Sequence, residues 1–292
     1  MENTEGVALL NRRIIEENIF KILMLISLAI VIGSLVIIVG IVVINGFPAL
    51  SVDMLTQTPT GRYYLGQGGG GILNAILGSL LLALPATLIA YLVGLAIALY
   101  LQRDFINPKL AGFIRFTLDV LWGIPSIIYG VFCFMIMIML GMRASLLMGI
   151  VALTLLEIPI ITRYMDEAIS MVPRGLKESA YSLGSTKFET AFRVIRRQAF
   201  PGILAGVLLG LGRGIGDAAS ILFTAGSPSD IPTSIFDPTA ALPTIIFKFY
   251  TSSIPVVRER AYAAAFILLM IVLTISVLSR LLTRRFKKHV IK

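Results

Sequence analysis

Six apolar stretches, at residues 19–44, 72–101, 110–140, 145–162, 199–225 and 261–282, constrain this 292-residue chain more than any other feature. A bilayer core takes about 20 apolar residues as a helix, and in lipid a helix satisfies every backbone N–H and C=O within its own segment. Each stretch therefore reads as a membrane helix, which makes the expected fold class all-α and polytopic with six transmembrane helices. Composition agrees: 57% of the residues are hydrophobic and 14% charged, and the mean hydropathy is +0.91, far from the roughly one-quarter charged content of soluble domains. The first stretch follows charges of both signs (Glu2, Glu5, Arg12, Arg13, Glu16, Glu17, Lys21). It is too long for the core of a signal peptide and no small-residue cleavage site follows it, so it is expected to remain as an anchor.

With the N-terminus placed inside, 19 of the 25 Lys and Arg fall on the inner side, among them Arg103, Arg115 and Lys288. Five fall outside (Arg62, Arg143, Lys248, Arg258, Arg260) and Arg213 lies within a span. The positive-inside rule then predicts cytoplasmic termini and a multi-pass protein of the cytoplasmic membrane. Three parts are expected. Residues 1–71 comprise the N-terminal segment, the first helix and an external loop; 72–283 form a core of five helices; 284–292 form a basic tail. The outer loops at 46–71 and 226–260 are long and rich in Pro and Gly, a length that goes with function or disorder, and they are read as the external mouth.

Several chemistries are poorly served. Cys133 is the single cysteine and His289 the single histidine, which disfavours a disulfide framework, a metal site and a histidine general base. No cofactor is expected. The net charge of +9 suits anionic lipid better than nucleic acid, because no basic stripe is interleaved with aromatics. Gly66–Gly71 matches G-x-G-x-x-G as a string, but a dinucleotide site needs a strand before it; the stretch reads instead as a flexible hinge. No P-loop sequence occurs, so any ATP that drives this chain is bound by another subunit.

Between the fourth and fifth stretches lies a polar, basic, helix-prone block at 177–201, KESAYSLGSTKFETAFRVIRRQAFP. Residues 177–183 favour a helix, Gly184 a turn, and 185–199 a second helix with Ser185 as N-cap and Glu189 in the first turn. Such a knob suits a groove on a cytoplasmic partner; a helix lying on the membrane surface is the plainer alternative.

Glu178-Ser179-Ala180 followed after three residues by Gly184 resembles the E-A-A-x-x-x-G signature of permease subunits of binding-protein-dependent ABC importers. The likeness extends over most of the chain. Gly69–Leu82, Gly123-Ile124-Pro125-Ser126-Ile127, Pro159-Ile160-Ile161-Thr162-Arg163, Arg213-Gly214-Ile215-Gly216-Asp217 and 242–249 (LPTIIFKF) together resemble the A-type permease subunits of phosphate importers. Two departures stand out: Asp217 where that family usually has Glu, and Arg196-Arg197 where the loop commonly closes with Leu-Pro. The resemblance implies a type I, MetI-like permease core in which Glu178, Ser179, Ala180 and Gly184, within a coupling loop at 174–200, engage an ATPase subunit. It also gives Arg163 a part in phosphate passage.

Arg213 and Asp217 draw notice without any resemblance, since ionisable groups are rare in membrane helices. Their i, i+4 spacing would place them on one helical face as a pair. That pair is either structural or a guanidinium that meets a passing oxyanion with a carboxylate holding it. Gly210, Gly212, Gly214 and Gly216 allow close packing or an open passage. Arg163 also suits plain anchoring at the membrane surface, Glu157 suits a salt bridge to another span, and Trp122 and Tyr129 suit packing.

The expectation is a permease subunit without catalytic residues, working with a second homologous permease, two cytoplasmic ATPase subunits and an external phosphate-binding protein. It would move inorganic phosphate by alternating access. A permease for molybdate or sulfate, or a stand-alone channel or secondary carrier, is the alternative.

Overall fold

The computed structural model describes residues 2–102 and 104–287; of residues 2–12, 15 and 287 only the backbone is described. The expected basic tail beyond 287, with His289, and the side chains of Arg12 and Arg103 lie outside the described part. Among the described residues the regular structure is helical throughout. Its order is α1 (Glu2–Gly46), α2 (Val52–Thr56), a 3₁₀ turn (Tyr63–Leu65), α3 (Leu73–Tyr100), α4 (Pro108–Gly123), α5 (Ser126–Met139), α6 (Leu146–Ser170), α7 (Arg174–Ser182) and α8 (Lys187–Glu189). A π-helical turn (Thr190–Ile195), α9 (Arg196–Gly216), α10 (Leu242–Tyr250) and α11 (Pro255–Lys287) follow. Five helices are long and apolar enough to cross a membrane, and a sixth span results if α4 and α5 count as one.

The third expected span is therefore not a straight rod: α4 and α5 meet at 93°. Pro125 explains the break. Its ring disfavours the α region for the preceding residue and it has no N–H to donate, and Ile124 lies at φ −70°, ψ 131°. Tyr129 donates its hydroxyl to the Leu121 carbonyl across the corner (2.8 Å). The fourth span is longer than expected, running on through Arg163 to Ser170. The fifth is shifted: the helical rod runs from Lys187 to Gly216, and residues 217–225 form turns. The loop expected at 226–260 contains α10 and the first turns of α11.

The core is built around α6, which is buried on every side that α3, α4, α5 and α9 cover. Of its most apolar window 72% is buried, against 0% for α1. The α6–α9 seam has a simple cause. Gly202, Gly206, Gly210 and Gly214 recur every fourth residue on α9 and face Ala168, Tyr164, Ile161 and Glu157 of the antiparallel α6. A Cβ at Gly206 would lie 2.7 Å from the Tyr164 Cβ, so the backbones approach as only small residues permit. The sequence left close packing and open passage undecided for the last four glycines. Gly210 and Gly214 pack, whereas Gly212 and Gly216 meet nothing within 4 Å.

At the opposite end from α7 the two long loops fold into a cap over α10 and α11, burying Met54, Tyr63, Ile72, Leu242, Phe249 and Val257 together. Asn74 Nδ2 donates to the Pro228 carbonyl (2.7 Å) and the Leu242 N–H to Ser79 Oγ (2.8 Å). The glycines at 66–71, expected as a flexible hinge, are turns within this cap. Gly70 has φ +89° and lies so close to the Thr58 carbonyl that a Cβ would sit 2.1 Å from it. α1 joins the bundle at the same end, with Phe47 edge-on to Phe266 of α11 (5.9 Å).

Candidate functional site

Helix α7, the turn at Gly184 and the rod that starts at Lys187 form the expected knob. α7 starts after Pro173, and Gly184 takes φ +82°, a conformation that costs a side-chain-bearing residue energy. The N-cap of the next helix is Thr186, not Ser185. Thr-x-x-Glu makes a full capping box: Thr186 Oγ1 accepts from the Glu189 N–H, while the Glu189 carboxylate accepts from the Thr186 N–H (3.1 Å). These bonds hold the exposed Glu189 carboxyl below its ordinary value. Ser185 is left to accept from the Thr190 hydroxyl (3.1 Å). Glu178, Ser179 and Gly184 are exposed and Ala180 is buried against the rod. Leu183 stands 89% exposed on the knob and Phe188 68% at the start of the rod.

The knob is fastened to a charge lattice inside the bundle. Lys177 of α7 lies 3.5 Å from the Asp104 carboxylate, and Lys187 donates to the Asp104 carbonyl (2.9 Å). Asp104 belongs to the short α3–α4 connection. At the start of that connection the Leu101 carbonyl accepts from Arg115 Nη2 (3.1 Å). Arg115 grips Asp166 with two bonds, Nε to Oδ2 at 2.7 Å and Nη2 to Oδ1 at 2.9 Å. Asp166 also accepts from Arg163 Nη1 (3.2 Å), and Arg163 Nε donates to Asp119 Oδ1 (2.6 Å). Arg115 and Asp119 of α4 thus cross-pair with Asp166 and Arg163 of α6. The Asp166 side chain is 3% exposed, Arg115 33% and Arg163 27%, so both cations are partly exposed while their shared anion is buried. A cavity of about 480 Å³ lies between lattice and knob, with Arg115, Asp104, Lys177, Glu178 and Tyr181 in its walls. Burial, and then the Asp104 carboxylate, push the Tyr181 phenol above its usual value.

Arg163 is thus the one expected pathway residue that the lattice contains. The other two are not together. α9 ends at Gly216, so Asp217 has extended backbone (φ −84°, ψ 116°) and lies off the helical face that i, i+4 spacing assumed. Its carboxylate accepts from the Ser220 N–H (2.8 Å), as a local cap does. Among the described residues no ion pair joins it to Arg213. Arg213 faces a cavity of about 820 Å³ between α6, α9 and α11, shared with Tyr164, Glu167, Arg280 and Arg284. The salt bridge expected for Glu157 is also absent among the described residues: the side chain is fully buried against Gly214 with both carboxyl oxygens unpartnered. Trp122 packs on Tyr164 (5.5 Å) as expected of a packing residue.

Asp119, Asp166 and Asp104 were missed by the sequence reading. A signal existed in Arg115-x-x-x-Asp119 and Arg163-x-x-Asp166, opposite charges one turn apart at the edges of apolar stretches.

Comparison with known proteins fits this architecture. The family described as "Binding-protein-dependent transport system inner membrane component" matches residues 90–292. The chain belongs to this family. The matched part of this inner membrane component includes α4 to α11 and hence the lattice and the knob. Among relatives, the phosphate transport system permease protein PstA of Yersinia pestis is 34% identical over 85% of this chain and 82% of its own length. Its namesake from Mycobacterium leprae is 34% identical over 89% and 86%. Among solved structures, the inward-facing MetNI methionine ABC transporter aligns with a TM-score of 0.61 at 20% identity, covering 77% of this chain and 97% of that one. A bacterial ABC transporter for alginate import aligns at 0.57 and 15%, covering 88% and 95%. At those identities the structures establish the MetI-like permease fold. As a permease family member the chain is a multi-pass membrane component and not itself an enzyme.

Proposed function

We propose that this chain is the A-type permease subunit of an ATP-driven phosphate importer. It pairs with a second homologous permease, is driven by two cytoplasmic ATPase subunits, and receives inorganic phosphate from an external binding protein at the cap. Both termini and the 174–200 loop face the cytoplasm. The relatives' names over more than four-fifths of their length support the substrate. The observation that carries the mechanism is a pair of ties on the α3–α4 connection, Lys177–Asp104 from the knob and the Arg115 bond to the Leu101 carbonyl from the lattice Arg115–Asp166–Arg163–Asp119.

In the proposed cycle an ATPase grips the exposed apolar knob around Glu178, Ser179, Ala180 and Gly184. Its closure displaces α7, and through Asp104 the α3–α4 connection. That motion pulls Arg115 relative to Asp166 and opens the α4–α6 seam. The arginines then exchange aspartate oxygens for those of phosphate, a trade between like hydrogen-bond acceptors that keeps each guanidinium satisfied. Return of the aspartates displaces the anion and closes the seam. Arg213 offers a third guanidinium further along the path, with no carboxylate partner among the described residues. No bond in the substrate changes, so positioning and competition between anions do all the work.

The test is reconstitution in liposomes of this chain with its genomic neighbours encoding an ATPase, a second permease and a secreted binding protein. Phosphate uptake that requires all components and ATP is expected, with molybdate and sulfate as poor competitors. Uptake by this chain alone would make it a channel or secondary carrier and end the importer reading.

A further inference from the structure

The groove between α3 and the rod that begins at Lys187 has a chemistry that the transport reading does not use. It is a cavity of about 410 Å³, lined on one side by Leu92, Leu95 and Leu99 and on the other by Phe188 and Phe192, with Arg196 in its wall. Phe188 and Phe192 stack almost parallel (5.7 Å between centroids, 9° between planes). The Arg196 guanidinium lies 3.9 Å from the Phe192 centroid. The four-residue steps from 188 to 192 to 196 put two rings and one cation on a single face of the rod. Among the described residues no carboxylate pairs with Arg196 or with Arg197 beside it.

The other wall belongs to an exposed apolar face of α3. Leu84, Leu88 and Leu92 recur every fourth residue on α3 and are 53%, 57% and 58% exposed. This apolar stripe runs down the helix and passes into the groove at Leu92. The groove is therefore continuous with an exposed apolar face and carries, where the apolar span gives way to polar sequence, a cation with no carboxylate partner among the described residues. At about 30 Å³ for each water-sized group, it has room for about a dozen methylenes.

We propose that this groove binds one anionic phospholipid, with an acyl chain between α3 and the Phe188–Phe192 stack and the headgroup phosphate on Arg196. An apolar channel that continues the exposed apolar stripe suits an acyl tail. A planar guanidinium braced on an aromatic face suits a phosphate diester, which it can bind through two parallel hydrogen bonds. Seated there, the lipid fills the space beneath the first turns of the rod and so braces the knob from its membrane side. The proposal rests on the importer reading only for the leaflet, the cytoplasmic one, that supplies the lipid.

Native mass spectrometry of the purified full-length chain tests this without ATPase or substrate, so its failure leaves phosphate import to be judged separately by liposome uptake. The chain is titrated with phosphatidylglycerol or phosphatidylcholine of matched acyl chains. The expected result is a single retained lipid with a preference of about fivefold for phosphatidylglycerol, the ratio that one basic residue near an anionic headgroup supplies. Arg196→Gln removes the preference, Arg196→Lys keeps most of it, and Arg143→Gln, an exposed arginine at the other end of the bundle, leaves it unchanged. Leu95→Trp fills the groove and lowers retention of both lipids, and a thermal unfolding scan of each variant verifies that it is folded. An unchanged preference in folded Arg196→Gln overturns the proposal. So does displacement of the lipid by millimolar inorganic phosphate, which would make Arg196 a site for the free anion. Capture of an ATPase subunit rather than lipid by a photo-crosslinker at Leu95 in the assembled complex overturns it as well.

Discussion

Helix α6 is held to α9 and to α4 by two seams of opposite chemistry. Toward α9 it meets Gly202, Gly206, Gly210 and Gly214, with Cβ positions that would fall between 1.8 and 2.7 Å from α6 atoms. Toward α4 it meets Arg115 and Asp119, which bond Asp166 and Arg163 at 2.6 to 2.9 Å. The first seam depends on close packing of α6 side chains on the bare α9 backbone, and dispersion is weakened by a gap of an ångström or less. Close contact of this kind makes the α6–α9 seam the rigid one. The second seam is made of charge-assisted bonds whose partners can be exchanged for other anions without leaving a charge unsatisfied. In the proposed cycle the difference sets where this bundle opens: along the ionic seam, with the glycine seam as the rigid part of the lever.

The largest expected effect comes from breaking the rigid seam. Gly206→Val sets a Cβ 2.7 Å from the Tyr164 Cβ, an atom that no side-chain rotation can withdraw. Overpacking of this kind costs about 1–3 kcal/mol and more where backbones must part, a large share of a typical fold's margin. The variant should lose its monodisperse peak in size-exclusion chromatography, and uptake with it. A Gly206→Val protein that folds and transports would show the α6–α9 seam to be loose.

Breaking the ionic seam should cost less and do something different. Asp166→Asn keeps the shape but leaves Arg115 and Arg163 without their shared anion. Removing one member of a fully buried pair costs about 3–5 kcal/mol; here the loss falls below that range, because both arginines are partly exposed and Arg163 keeps Asp119. The variant should fold with a lowered melting temperature, and in the assembled importer it should hydrolyse ATP with little phosphate uptake. Asp166→Glu should restore part of the coupling. If Asp166→Asn transports normally while melting early, the lattice is only structural.

The two seams were unequally legible in the sequence. Six apolar stretches sufficed for an all-α membrane bundle, because lipid leaves the backbone little other choice. The knob was legible too, since Gly184 and the spacing of Thr186 and Glu189 are local signals, although Ser185 was mistaken for the cap. Gly210, Gly212, Gly214 and Gly216 were visible, but only Gly210 and Gly214 belong to the rigid seam, and Gly212 and Gly216 meet nothing within 4 Å. A glycine records only that small size or freedom is wanted, not what it touches. The bend at Ile124-Pro125 was hidden because Pro85, Pro159 and Pro201 lie inside helices that continue past them. The inferred Arg213–Asp217 pair failed because i, i+4 geometry holds only while the helix lasts. The ionic seam needed a fact of tertiary structure, that α4 crosses α6 where two oppositely charged turns coincide.

The smallest expected effect sharpens the comparison by testing a glycine of α9 that faces away from α6. Gly212 has open space where its Cβ would be, and it lies in regular helix. Gly212→Ala should therefore meet no obstacle and should gain about 1 kcal/mol of helix propensity. The expected outcome is a melting temperature equal to or slightly above that of the unmodified chain, with uptake unchanged. A methyl group there adds little to the wall of the cavity that Arg213 shares with Arg280 and Arg284. Loss of uptake with full stability would mean that the bare backbone at 212 is needed for close passage of the anion beside Arg213. Loss of stability would mean instead that a neighbouring helix, from a partner permease, packs on this face in the assembled complex. The first outcome would move the transport path to the α9 cavity and reduce the α4–α6 seam to a gate beside it. The second would make the outward glycines a subunit contact of the same kind as the seam they flank.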